Sequence, residues 1–497
     1  LHQRVYRREI VLFNSFFFLF IFLPIVLVIY FSLIHIRFFR YALGFLLIAS
    51  LTFYSLWDIR YLPLLLFSIG FNFLMGRRIE QHRTKINLAI GIIVNLTLLG
   101  YFKYLNFFLD NVAALIPANI VTQIQSSAFP SVILPLGISF YTFTQLAYII
   151  DAYRGETKKY SLLDYSLFVT YFPHLIAGPI LSHNKVIPQM EDVKGLLFSS
   201  KNFSIGICLF SIGLFKKVMV ADTLSPWVAP VFANAGPVSF FDGWIGALAY
   251  TLQLYFDFSG YCDMAVGMAY MIGIIIPFNF DSPYKSSSII DFWRTWNMTL
   301  SAFLRNYLYI PLGGNRKGFP RQVLNVMITM FLGGLWHGAG WTFVVWGTLH
   351  GAYISIDHGW RNLKIPLPKI LCQAITLVAV VVAWVFFRAS SVSDALEILK
   401  GMAGLKGFAL PTAVAGTVPA LKSLGFSMGS KVIIPGGALE VLLIGVLMII
   451  VWLLPNSQEI ALKYFKPRPI WFVVVVGLFL ISLMNMAQVS EFLYYQF

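Results

Sequence analysis

A chain of 497 residues that is 58% hydrophobic and 11% charged, with a mean hydropathy of +0.77, is far more apolar than a soluble domain, where roughly a quarter of residues are charged. That composition excludes a soluble enzyme and points to a polytopic membrane protein. The net charge of +15 would in isolation suit nucleic acid, but the basic residues sit in short loops between apolar runs, the positive-inside pattern, and no nucleic-acid partner is expected.

Apolar windows long enough for a helix to cross about 30 Å of hydrocarbon fall at 11–34, 41–57, 61–76, 86–108, 131–150, 203–221, 243–260, 262–278, 370–387, 436–454 and 469–487. They are continuous runs rather than short alternating strands, which favours helices over a barrel. The expected fold class is all-α, with about eleven transmembrane helices plus re-entrant or interfacial helices. The first window is too long and too rich in Phe for a cleaved signal. Arg37, Arg40, Arg77, Arg78, Arg83 and Lys85 share one side against Arg60 on the other, so that side is cytoplasmic. Arg4, Arg7 and Arg8 then fall on the wrong face, so residues 1–10 read as an over-extended start and 11–497 as a single integral-membrane domain.

Farther along, 110–130 reads as extracytoplasmic, and Arg154, Lys158 and Lys159 return the chain to the cytoplasm. In SLLDYSLFVTYFPHLIAGPI an apolar run is interrupted by Pro173, Gly178 and Pro179 around His174. Broken helices at membrane depth are tolerated where they are buried in protein or line a cavity. A tight turn or kink around Gly260 is expected to separate the windows on either side. The 404–435 segment, rich in Gly, Ser, Ala and Pro, reads as a loop. No internal repeat or second domain is visible.

Charge, aromatic rings and glycine concentrate between 291 and 351. Arg294, Asn297, Ser301 and Arg305 recur at helical spacing and predict a polar stripe on one amphipathic helix, with Trp293, Trp296, Leu300 and Leu304 on its apolar face. The same stripe also fits an interfacial helix whose arginines reach to lipid headgroups. PLGGNRKGFPR follows, a glycine-rich turn with Arg316, Lys317 and Arg321. It fails as a phosphate-binding Walker motif because Phe319 stands where the lysine belongs. It suits either phosphate recognition or plain topology signalling.

In LGGLWHGAGW, Gly333, Gly334, Gly338 and Gly340 leave little side-chain volume beside Trp336 and His337. A histidine in an apolar segment is a functional-site hypothesis, although some only hydrogen-bond between helices. Five of the twelve tryptophans lie between 293 and 346, which favours an aromatic-walled site. The chemistry this suits is acyl transfer. His337, as a neutral base, takes the proton of an attacking hydroxyl, and Asn297 supplies an uncharged donor to the developing oxyanion or orients the thioester.

Other sites are weakly supported. GFSMG at 425–429 resembles a nucleophile elbow, but no histidine follows it to complete the hydrolase order. His174, His183, His337, His350 and His358 lack metal-ligand spacing. Cys208, Cys262 and Cys372 lie in apolar segments without C-x-x-C spacing, so neither a metal nor disulfides are expected.

DFWRTWNMTLSAFLRNYLYIPLGGNRKG followed by LGGLWHGAGWTFVVWGTLHG resembles the membrane-bound O-acyltransferase (MBOAT) family, in its bacterial alginate O-acetyltransferase-like branch. LPLGISFYTFTQLAYIIDAYRGE, YFPHLIAGPI, YFDFSGYCDMAVGMAYMIGI, WVFFRASSVSDALEILKGM and the terminal FLYYQF extend the likeness over nearly the whole chain. The resemblance implies a funnel-like fold with a cytoplasmic donor entrance, His337 as the catalytic histidine, and His174 and His350 as further site residues. Where the branch usually reads W-H-x-S-L-S, this chain reads W-N-M-T-L-S, with Asn297 replacing histidine. More distant members carry asparagine there.

The expected activity is transfer of an acetyl group from a cytoplasmic thioester, acetyl-CoA, for O-acetylation of an exported or cell-surface polysaccharide. Arg294, Arg305, Arg316 and Lys317 would bind the donor, with Ser301 and Trp336 supporting the site. No bound cofactor is implied. Membrane lipid and an extracytoplasmic acetyltransferase are the expected partners, and the bacterial inner membrane the expected location. D-alanyl transfer from a carrier protein to teichoic acid is the competing enzyme reading, and a solute transporter the competing class. Transporters usually show paired interrupted segments in two halves, which are absent from this sequence.

Overall fold

The computed structural model describes residues 12–113, 134–233, 238–409, 438–466, 468–486 and 493. The expected over-extended start at 1–10, nearly all of the 110–130 segment, most of the 404–435 loop with its GFSMG sequence, and most of the terminal FLYYQF lie outside them. Among the described residues all regular structure is helical.

Exposed apolar faces mark the solvent of these helices. Along Lys369–Arg388, Val380, Trp384 and Phe387 are buried, yet the opposite face exposes Ile370, Leu371, Ile375 and Val378. A soluble helix would carry charge there; one apolar all round faces lipid. Five helical stretches are long and apolar enough to cross a membrane, and a sixth arises if Val441–Leu453 and Ser457–Tyr464, bent by 54°, form one span. The chain is a multi-pass membrane protein.

Two compact units divide the chain. The first runs to Phe210 and adds Met264–Pro277. Its helices Leu62–Gln81, Lys85–Leu99, Ile138–Arg154 and Leu162–Thr170 are tied by a buried polar network. Asn72 and Asn95 exchange amide hydrogen bonds of 3.1 and 2.7 Å, Gln145 donates to Ser68 Oγ at 2.8 Å, and Tyr165 donates to Gln145 at 3.3 Å. Such bonds hold apolar helices together where burial gives no preference over lipid. The expected break is present: Leu162–Thr170 ends at Tyr171, and Phe172–Leu175 restarts with Pro173 in its first turn. The N–H of Phe172 is satisfied by Ser50 Oγ at 3.2 Å.

The second unit takes Ser211–Asp263 and the chain from Phe278 onward. The expected turn or kink at Gly260 does not form; Phe240–Ile272 is one helix of 33 residues. A Cβ at Gly260 would lie 2.7 Å from the carbonyl of Gly213, so this glycine admits a neighbouring backbone rather than ending the helix. A mid-helix glycine costs only about 1 kcal/mol against alanine.

The centre of this unit is a helical hairpin, Phe319–His337 and Trp341–Leu363. Pro320 lies in the first turn of the former, where its missing N–H costs nothing. Gly338 and Gly340 form the turn in extended backbone. The two helices touch backbone to backbone. A Cβ on Gly334 would come within 2.3 Å of the Phe343 carbonyl, and one on Gly347 within 2.4 Å of the Met330 carbonyl.

Gly347→Ala therefore forces the hairpin apart, at about 1–3 kcal/mol for overpacking. Thermal melting in detergent should show a clear loss for this variant. Gly359→Ala, on the same helix with only Phe319 at 3.6 Å from its added Cβ, should melt at or above the parent temperature.

Candidate active site

The predicted polar stripe is built differently from a single helix. Ser288 caps Ile289–Thr295 by accepting from the Asp291 N–H at 3.1 Å, and that helix ends at Trp296. Asn297 then adopts φ 42°, ψ 54°, the left-handed region, before Met298–Leu304 begins and gives way to a π-helical turn over Arg305–Tyr309. Asparagine is among the few side chains that enter this region readily. Asn297 therefore stands at a corner between two short helices, not on a continuous face.

Asn279, which sequence reasoning missed, braces that corner. Its backbone carbonyl accepts from Met298 N–H at 3.0 Å, and its side-chain oxygen accepts from the Thr299 N–H at 3.0 Å and the Thr299 hydroxyl at 2.9 Å. The Asn297 side chain is buried, and its amide has no hydrogen bond among the described residues.

His337 is the last residue of its helix and is buried. Rings of Trp336 at 5.0 Å, Trp346 at 4.9 Å and Phe387 at 5.3 Å meet it edge to face. Aromatic packing links it to the Asn297 corner: Trp346 stacks on Trp384 at 5.7 Å, and Trp384 meets Trp296 at 5.0 Å. His350 is wholly buried in the same aromatic group, 4.9 Å from Trp346. Trp293 Nε1–H donates to His350 Nδ1 at 3.2 Å, which makes that nitrogen an acceptor and places the ring proton on Nε2. His350 Nε2 has no partner among the described residues. His174 belongs to the first unit, where it is buried with Nε2 3.0 Å from the Phe168 carbonyl.

A cavity of about 670 Å³ opens within the second unit. Arg294, Ser301, Arg305 and Arg316 line it together with Trp293, Met298 and Met330. Four of the predicted site residues thereby line one cavity. Lys317 is exposed on the same loop but outside the lining, and neither Asn297 nor His337 belongs to it. Met298 directly follows Asn297, and Met330 lies two turns before His337. Arg294 shares Asp291 at 3.5 Å, whereas Arg305 and Arg316 have no carboxylate partner among the described residues. His358, not singled out by its sequence context, also lines the cavity. Burial holds its ring below the ordinary histidine range; Arg361 and Arg294 push the same way, against Asp357.

This arrangement can hold an anionic ligand against guanidinium groups and extend an apolar portion along Trp293, Met298 and Met330 towards the aromatic group around His337.

The left-handed backbone at position 297 makes a stability prediction. Asn297→Gly should melt close to the parent, whereas Asn297→Val, β-branched in the same conformation, should lose about 1–2 kcal/mol, read as a lower melting temperature in detergent.

A model of the membrane-bound O-acyltransferase family matches residues 85–393. The chain is 42% identical to the peptidoglycan O-acetyltransferase of Helicobacter pylori over 82% of either chain. It is also 42% identical to a probable alginate O-acetylase of Azotobacter vinelandii, covering 78% of this chain and 77% of the relative. The teichoic acid D-alanyltransferase of Streptococcus thermophilus is more distant, at 27% identity over 47% of this chain and 59% of its own length. The matches cover the Asn297 corner, the cationic cavity and the glycine hairpin alike: the chain belongs to the membrane-bound O-acyltransferase family, in its alginate O-acetylase-like branch, and is an acyl-transferring enzyme.

Proposed function

We propose that the chain moves an acetyl group from cytoplasmic acetyl-CoA for the O-acetylation of an exported or cell-surface polysaccharide, with alginate-like glycans and peptidoglycan the leading acceptor classes. The observation that carries this reading is the cationic cavity at Arg294, Arg305 and Arg316, walled by the two elements that carry Asn297 and His337. The relatives named for acetyl transfer are nearer and cover more of the chain than those named for D-alanyl transfer.

In this mechanism the arginines hold the donor phosphates, with Lys317 adding charge at the entrance. His337 takes the proton of the acceptor hydroxyl as its oxygen attacks the thioester carbonyl. The carbon–sulfur bond then breaks, and the protonated ring returns the proton to the leaving thiolate. The Asn297 amide donates to the carbonyl oxygen as it gains charge. Ser301, Trp336 and His350 support the site. We place the enzyme in the bacterial inner membrane, with about eleven spans plus re-entrant or interfacial helices. An extracytoplasmic acetyltransferase relays the group to the glycan.

His337→Ala should lower acetyl transfer from labelled acetyl-CoA by about 10²–10⁴-fold while the protein still inserts and melts normally. A folded variant with parental turnover sinks the assignment of the base. Asn297→Gly, with its backbone retained, should lower kcat by about 10²–10³-fold, as for loss of an oxyanion donor.

The depressed titration of His358 sets a pH dependence. The ring is neutral at pH 7 and becomes a further cation beside the arginines only as pH falls through its lowered pKa. KM for acetyl-CoA, measured from about pH 5 to pH 8, should therefore decrease towards acid. In His358→Gln that dependence should be absent.

A further inference from the structure

Asparagine 325 stands within the Phe319–His337 helix with no exposed surface. A buried asparagine in a helix interior is a poor choice for propensity and for packing. Here its Nδ2–H donates to the carbonyl of Gly314 at 2.8 Å, while its Oδ1 is buried with no partner among the described residues. An acceptor left unmade in that way is costly, and leucine of similar volume would avoid the cost. What the side chain contributes here is its N–H and what that N–H holds.

It holds the glycine turn. Gly313 and Gly314 lie at φ +112° and +56°, conformations that leave the backbone unusually free in any state not otherwise restrained. On the near side the turn is fixed by Gly314 N–H to the Tyr309 carbonyl at 2.9 Å, and Arg316 N–H reaches the Gly313 carbonyl at 3.2 Å. Across the turn, Asn325 supplies the short hydrogen bond to the facing helix; the Arg321 guanidinium reaches Leu312 O only at 3.5 Å. Gly313, Gly314 and Arg316 form one wall of the cavity, and Val326, Thr329 and Met330, on the turns that follow Asn325, form another. The Asn325 hydrogen bond, with the longer Arg321 contact beside it, thus ties the loop that presents Arg316 to the helix that ends, 12 residues after Asn325, in His337.

We propose that Asn325 is a positioning residue for the acyl donor, registering the cationic loop against the Phe319–His337 helix so that Arg316 holds the phosphates of the thioester. The proposal rests on the donor reading of the cavity, and its structural half is measurable without that reading.

The test uses the full-length protein in detergent with Asn325→Leu, and with Gly314→Val, which strains the same bond from the loop side and leaves the helix intact. Hydrogen exchange of the 313–318 amides should accelerate by about 10-fold or more, the worth of one net hydrogen bond, with 326–337 unchanged. KM for acetyl-CoA should rise by about the same factor with kcat within about two-fold. Arg316→Ala, costly in the parent, should add little in the Asn325→Leu background, because an unregistered loop has already lost the contact. Unchanged exchange at 313–318 in either folded variant overturns the clamp. A fall in kcat and melting temperature with KM constant shows packing alone and overturns the positioning role. If exchange accelerates but Arg316→Ala leaves the parent KM unchanged, the donor reading fails and the clamp stands.

Discussion

The contact on which the second unit depends is the one between Gly334 and Gly347, where two helices meet with no side chain between them. In lipid, apolar side chains gain nothing by leaving one hydrocarbon environment for another, so helix association rests on close backbone approach and on hydrogen bonds. The glycine pair fixes the separation of the hairpin. That separation places Trp346 edge-on to His337 and lets Phe387 and Trp384 close over them from the Lys369–Arg388 helix. A wider hairpin would leave the imidazole in a loose pocket, without the aromatic rings that fix its orientation.

Around this rigid centre the site is assembled from short, interrupted pieces. The Ile289–Thr295 and Met298–Leu304 helices, the π-helical turn and the glycine loop each fix a few residues. Each break is supported by a specific bond, from Ser288, Asn279 or Asn325. The broken segment in the first unit follows the same rule, with Ser50 taking the freed N–H of Phe172. Irregular backbone persists at these breaks because specific polar groups satisfy the freed backbone N–H groups.

Much of this was legible in the sequence. Glycines flanking His337 pointed to close approach, which Gly334 makes with a neighbouring backbone and Gly338 with the Phe343 ring, and the basic turn pointed to the cavity that Arg316 lines. The continuous helix expected through 294–305 failed because its periodicity survives a corner: Arg294, Ser301 and Arg305 reach the same cavity although Asn297 turns the chain between them. Periodicity records which residues share surroundings, and it is silent about a single left-handed residue. Gly260 misled in the opposite sense, because glycine marks a break and a close packing contact with the same letter. Asn325 was unreadable since its partner is a backbone carbonyl, which leaves no trace in side-chain pattern, and Asn279 because its partner Thr299 lies 20 residues away with no periodic relation to it.

The left-handed corner at Asn297 also bears on which residues this position can accept. Glycine, asparagine, aspartate and histidine are the residues that occupy such a backbone most readily, so the conformation restricts the position to a short alphabet before any chemistry is selected. Asparagine and histidine codons differ by a single base. A change from asparagine to histidine here thus requires one nucleotide change and a residue that the same backbone corner accepts.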